Sequence, residues 1–197
     1  MLEKKNQIIE KLKNLGTSNC IELLSSIEFM DLQKYYLDIG LEKDMAITDL
    51  VENIEDIYVK GNIMQVTYNP EGAVVSLYIH NEEEPNIVNM LNMVSTVYIP
   101  RKDWHILDLM MPGDGVKVNL GMDYKNTLPR FIIKNITLLD EMVFPWYVCP
   151  NCGTIYTICA ATGEDECCLC SNADNRIKLI KFTNTKDMYD TIDSLQQ

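Results

Sequence analysis

Six of the seven cysteines in this 197-residue chain lie between Cys149 and Cys170. Cys149-Pro-Asn-Cys152 is followed by Gly153. Cys167 and Cys170 repeat the two-residue spacing, and fourteen residues separate the pairs. Two such knuckles can bring four thiolates to the corners of a tetrahedron around one Zn²⁺. Such a site keeps no open position for water or substrate, so the expected role is structural rather than catalytic. Gly153 permits the close backbone turn a knuckle needs. The expected ligands are Cys149, Cys152, Cys167 and Cys170. Cys159 and Cys168 are expected non-ligands, with two alternatives open: a register slip that exchanges Cys168 for Cys167, and Cys159 as a spare ligand. Iron, which also binds paired C-x-x-C knuckles, is the rival metal. Cys20 stands alone and reads as a buried apolar filler.

No other constellation points to catalysis. His80 and His105 are isolated, and the chain contains no G-x-x-x-x-G-K-[ST], G-x-G-x-x-G or H-E-x-x-H motif. The run Glu82-Glu83-Glu84 reads as a solvated turn. The expectation is a binding protein, not an enzyme.

Three segments must position the cysteines. Residues 1–54 are helical in pattern and read as a cap or partner-binding segment. Ile8, Leu12 and Leu15 share a face, with Gly16 as a stop. Asn19 and Glu22 resemble a capping box ahead of a stripe of Leu23, Leu24, Ile27 and Met30. A third helix is expected over Asp31–Ile39, ended by Gly40, and a last turn after Thr48. Residues 55–141 read as β. Ile57 and Val59 share one parity, which flips after Gly61 to Met64, Val66 and Tyr68, as a β-bulge at the glycine would cause. Asn69-Pro70-Glu71-Gly72 is a turn. Val75, Leu77 and Ile79 alternate in a second strand, and Val97 and Ile99 mark a third. Asp103–Met111 has helical spacing. Val116, Val118, Leu120 and Met122 form a fourth strand, and Arg130–Leu139 a fifth. Residues 142–197 hold the cysteines, a strand over Ile177–Phe182, and a helix capped at Thr185 that buries Met188, Ile192 and Leu195.

The order β-β-β-α-β-β predicts a mainly β protein with an α N-terminal segment: a five-stranded OB-fold barrel followed by a zinc ribbon. The run ITDLVENIEDIYVKGNIMQV resembles the opening of the OB domains of archaeal and eukaryotic replication protein A, through Ile47, Asp49, Leu50, Ile57, Val59, Gly61 and Ile63. GDGVKV at Gly113–Val118 is similar to that family's approach to its fourth strand, and FIIKNITLLD to its last. The resemblance covers roughly Ile47 to Asp140. It implies single-stranded nucleic-acid binding in DNA replication or a related transaction. In that family's zinc-bearing domain the metal module is inserted within a barrel, whereas here it follows a complete one.

Barrels of this kind stack bases on aromatic side chains and track phosphates with cations. The expected contacts are Tyr78, Tyr98, Trp104 and Tyr124 as stackers, with Arg101, Lys102, Lys117 and Lys125 as cations; Lys60, Arg130 and Lys134 are further cations. The net charge of −12 excludes a generic basic nucleic-acid coat. It is unevenly spread: six basic against twelve acidic residues in 1–56, seven against nine in 57–140, four against eight in 141–197. The barrel is therefore the least acidic part. The acidic helices suit a second reading, a non-catalytic protein-interaction subunit of a replication, transcription or viral assembly. MLEKKNQIIE lacks a signal-peptide pattern. The longest uncharged run, Met142–Gly163, is broken by prolines, a glycine and cysteines, so no membrane span is expected. An intracellular location, cytoplasm or nucleoid/nucleus, would keep the thiols reduced.

Overall fold

The computed structural model describes residues 2–79, 96–123, 130–157, 166–172 and 174–195. Four helices come first: α1 (Leu2–Asn14), α2 (Cys20–Ser25), α3 (Ile27–Asp38) and α4 (Asp44–Asn53). The Asn19 side chain caps α2 by accepting from the Ile21 N–H at 2.9 Å. Glu22 does not close a capping box; it bonds the Thr17 hydroxyl instead. Ser26 ends α2 and caps α3, accepting from the Phe29 N–H at 3.1 Å. That break explains why the expected stripe divides: Leu23 and Leu24 are buried, while Ile27 and Met30 are exposed. It also starts the third helix at Ile27 rather than Asp31. Leu15 lies beyond the end of α1 and is exposed; Ile9 is buried in its place. Asp49 is buried within α4, pairs with Lys5 of α1 at 2.9 Å and accepts from the Tyr36 hydroxyl of α3, so one carboxylate ties three helices.

Five strands follow: β1 (Tyr58–Asn69), β2 (Gly72–Tyr78), β3 (Thr96–Pro100), β4 (Gly115–Asp123) and β5 (Arg130–Leu138). They form one mixed sheet in the order β1-β2-β3-β5-β4, closed by antiparallel β1–β4 pairing. The other seam is narrow, a parallel contact registered at Tyr98 and Ile132. β1 serves both halves because it is long: residues 58–62 pair with β4 and residues 62–69 with β2. The irregularity that lets it bend lies between Ile63 and Gln65, not at Gly61. Ile57, Val59 and Ile63 are buried on one parity, and Met64 is the extra residue that shifts the phase. Gly61 stays in register opposite Val116 and lies against the Tyr78 carbonyl, where a Cβ would come within 2.5 Å. The expected helix between strands three and four is a 3-10 helix, Arg101–Leu107, directly after β3. Residues of α1–α4 and of the sheet interior share one continuous apolar core. The helices are thus a structural half of the molecule, which is a mixed α and β chain rather than a mainly β one.

The C-terminal part has three short strands, β6 (Trp146–Val148), β7 (Ile155–Tyr156) and β8 (Ile180–Phe182), in the order β7-β6-β8, and a helix, α5 (Thr185–Leu195). Asn184, not Thr185, caps α5, its side chain accepting from the Lys186 and Asp187 N–H groups. Thr185 is buried as the first helical residue, and Leu195 is exposed. Met142, Trp146, Val148, Met188 and Ile192 make a second core, onto which Met64 packs from β1. Asn62, fully buried, fastens the two parts: its Nδ2 donates to the Phe144 carbonyl at 2.6 Å, and its Oδ1 accepts from Val143 and Phe144. At the paired position Gly115, a Cβ would collide with the Glu141 carbonyl, so only glycine admits this crossing. The Tyr189 hydroxyl closes the seam on the Pro112 carbonyl at 3.2 Å.

Candidate metal centre and nucleic-acid interface

Two knuckles of the same design hold the four expected ligands. In each, the first cysteine's carbonyl accepts from the fourth residue on: Gly153 to Cys149 at 2.9 Å, Ser171 to Cys167 at 2.9 Å. In each, that cysteine's N–H donates to a following strand-like segment, Cys149 to Thr154 and Cys167 to Ile177. Gly153 has φ +70°, the left-handed geometry that turns the first knuckle back on itself. The ligand atoms of Cys149, Cys152, Cys167 and Cys170 all lie within 4.8 Å of one another, and these four can hold a metal ion. Cys149 and Cys167 are buried, Cys170 is half-buried and Cys152 exposed. All four are free thiols, as is Cys168, which is exposed and outside the set. Cys159 lies outside the described residues.

Sequence reasoning missed a ring of polar groups around the sulfurs. The Asn151 N–H points to Cys149 Sγ at 3.4 Å and its Nδ2 to Cys170 Sγ at 3.3 Å. Thr154 Oγ1 is 3.1 Å from Cys152 Sγ, and the Tyr156 hydroxyl 3.1 Å from Cys167 Sγ. Outer groups of this kind orient metal ligands and stabilise sulfur charge. The C-P-N-C-G-T-I-Y string contains them all, but only the fold shows which sulfur each one meets.

The same contacts divide the thiols. Burial raises Cys167, yet the Tyr156 hydroxyl, Cys149 and the Leu169 and Cys170 N–H groups outweigh it and bring the thiol down to about 6. Cys152 is lowered, chiefly by the Thr154 hydroxyl. Burial raises Cys149. At Cys170 the Asn151 hydrogen bond lowers the thiol, but Cys152, burial and the other two sulfurs push it up to about 12. Four adjacent sulfurs do not all ionise unaided; a cation at their centre removes the conflict.

The residues expected to meet nucleic acid separate into several places. Trp104, half-buried on the main core, meets the Tyr68 ring edge-on at 5.1 Å, and the Arg101 guanidinium lies 5.5 Å from the indole centroid. Tyr68, at 52% exposure, is the most open aromatic of this group and was not among the expected stackers. Parity could not have found it: Tyr68 follows Val66 on the core-facing side of β1, opposite the buried Ala73, and is open because it stands at the strand's end. Tyr98 stands on β3, with its ring across Gly72 of β2 and its hydroxyl on the Glu71 carbonyl at 2.8 Å. Lys102 is exposed beside Arg101. These residues gather around the β1–β2 turn. Tyr78 does not join them: it is buried, with Phe144 packed edge-on at 5.4 Å. Lys117 belongs to a different surface, over the Tyr58 ring at 4.1 Å. Tyr124, Lys125, His80 and Glu82–Glu84 lie outside the described residues.

No helix among the described residues is long and apolar enough to cross a membrane. The chain matches no protein-family model, and no curated protein matches it.

Proposed function

We propose that the protein binds single-stranded nucleic acid through an OB-type barrel, and that a structural zinc ion organises its C-terminal ribbon. The observation that carries this reading is the Tyr68–Trp104–Arg101 group, with Tyr98 alongside, at the end of a five-stranded barrel. Open aromatic faces beside guanidinium and ammonium groups stack bases and meet phosphates without requiring a basic protein. The site serves replication or another transaction in which single strands are exposed, and an intracellular setting keeps its thiols reduced.

Zinc suits the ribbon. Sulfurs at about 2.3 Å from a tetrahedral zinc ion stand about 3.8 Å apart; Cys152 and Cys167 Sγ are 3.8 Å apart. With four protein ligands the ion would supply folding energy and no open catalytic position.

The test is a fluorescence-anisotropy titration of a labelled single-stranded oligonucleotide at several salt concentrations. Binding that weakens with salt and is lost in Trp104→Ala supports the reading; absence of binding at low salt overturns it.

A second reading, a protein-interaction subunit, is favoured by one observation. Ile27, Met30 and Leu37 form an exposed apolar line on α3, with Lys34 within it and the acidic residues Asp31 and Asp38 along one side. Such a face suits a basic amphipathic partner. An unchanged oligonucleotide titration in Ile27→Asp, together with loss of a protein complex, would assign the line to protein.

A further inference from the structure

The outward face of β1, β4 and β5 is unlike the rest of this acidic molecule. Lys60 and Lys117 are directly opposed in the β1–β4 register, and both ammonium groups lie over one ring, Tyr58, at 5.9 and 4.1 Å. Like charges in opposed positions of a sheet repel. The ring offsets part of that repulsion, but no carboxylate among the described residues lies within 4.0 Å of either lysine to remove it. The next row outward in parity is Tyr58 opposite Asn119, with Asn119 opposite Asn135 of β5. Beyond it the Lys134 stem lies across Gly121 on the same side, where a Cβ would meet it at 2.8 Å. The face thus presents three cations, one aromatic ring and two amides, and the same parity reaches a carboxylate only at Asp123, opposite Arg130 at the end of β4. In the opposite direction the same parity reaches Asn62 and Gly115, where residues 141–144 cross. The patch therefore abuts the cysteine-bearing part.

We propose that this face is a second contact surface for the nucleic-acid strand, binding its phosphates through Lys60, Lys117 and Lys134 and a base through Tyr58. The inference rests on the nucleic-acid reading above and extends the strand's path from the Trp104 end to the junction with the C-terminal part. A polyanion is the partner that relieves opposed, uncompensated lysines. The ring and the amides Asn119 and Asn135 add groups that a base or sugar can use and that a purely acidic peptide cannot exploit equally.

The experiment measures the salt dependence of binding of a fluorescein-labelled single-stranded oligothymidylate to the full chain. The variants are Lys60→Gln/Lys117→Gln, Lys60→Arg/Lys117→Arg, Tyr58→Leu and Trp104→Ala, with thermal melting to verify folding. Loss of two phosphate contacts should weaken binding at low salt and reduce the slope of log K against log salt by about 1.4. The double arginine variant should restore both. Tyr58→Leu should weaken binding with the slope unchanged. If the glutamine variant binds with wild-type slope and affinity while Trp104→Ala weakens binding, the second surface is overturned and the first stands. If no variant of the set and not the wild type binds, both fall. Displacement by polyglutamate as effective as by unlabelled oligonucleotide also overturns the proposal, in favour of an acidic protein ligand.

Discussion

Asn62 and Phe144 exchange two hydrogen bonds across the junction between the barrel and the C-terminal part. The side-chain Nδ2 donates to the Phe144 carbonyl at 2.6 Å, and the Oδ1 accepts the Phe144 N–H at 3.2 Å. A third bond, from the Val143 N–H at 2.8 Å, fills the remaining capacity of the amide oxygen. A side chain on β1 therefore acts as the backbone partner that the segment ahead of β6 lacks. The cysteine-bearing part is held at the seam beside Lys60 and Lys117.

Asn62→Ala should expose the importance of that amide. It removes the three hydrogen bonds that Asn62 makes from its fully buried position, and the expected loss is about 2–4 kcal/mol. Urea unfolding followed by Trp104 emission, in a Trp146→Phe background, and by Trp146 emission, in a Trp104→Phe background, provides one probe on each core. The two transitions should separate in the variant more than in the parent. Coincident transitions with a loss below about 0.5 kcal/mol would show that the apolar contacts alone hold the seam.

Metal binding should be stoichiometric and should depend on four cysteines only. Elemental analysis is expected to find one zinc per chain, retained in Cys168→Ser and lost in Cys149→Ser or Cys170→Ser. Because the energy of such a site is folding energy, chelation should unfold the C-terminal part, read as a change in Trp146 emission. Tyr156→Phe, which removes the hydroxyl on Cys167, should keep the metal with affinity reduced by about 10-fold or more. Stoichiometric iron, or unchanged melting in both cysteine variants, would refute this assignment.

Cys20 is the internal control. It is almost wholly buried at the start of α2, and burial pushes its thiol up to about 12. The unfolded thiol ionises near 8.5. The folded state thus favours the protonated form. This contribution is complete below the unfolded value and is lost as the pH rises through the folded one. Alkylation at pH 8 should modify the exposed Cys168 in the folded, metal-loaded protein and leave Cys20 untouched until denaturant is added. Early labelling of Cys20, located by peptide mass, would mean that the helical half opens on its own.

The cysteine site was legible because knuckle spacing is local: the ligands of each pair lie two residues apart, and their geometry follows from one tight turn. The strands were legible for a related reason, since parity reports which face is buried. Parity does not reveal the partner strand, so the phase change in β1 pointed to Gly61 while the extra residue is Met64, defined by its register against β2. Asn62 left no trace, because its partners lie 81 and 82 residues away and an asparagine in a strand reads as an ordinary polar position. The partners of Asp49 are equally remote from its local pattern: its lysine and tyrosine come from two other helices. Tyr78 had the correct parity for a stacking role, but the residue that covers it, Phe144, belongs to the segment after the barrel.

The aromatic group at the β1–β2 turn allows binding and stability to be separated. Trp104 is half-buried against the main core, so Trp104→Ala should cost stability as well as ligand contact. Tyr68 is 52% exposed, and its one ring pair among the described residues is the T-shaped contact with that indole. Tyr68→Ala should leave the melting temperature nearly unchanged, because an exposed substitution outside a core or cap changes stability by about 0.5 kcal/mol or less. If Tyr68 stacks on a base, the same variant should weaken oligonucleotide binding by about 1–3 kcal/mol. Tyr68→Phe should retain most of the affinity, since stacking uses the ring face and not the hydroxyl. A Tyr68→Ala protein that melts and binds like the parent would remove this ring from the interface and leave Trp104 and Tyr98 as the bases' only platform in that group.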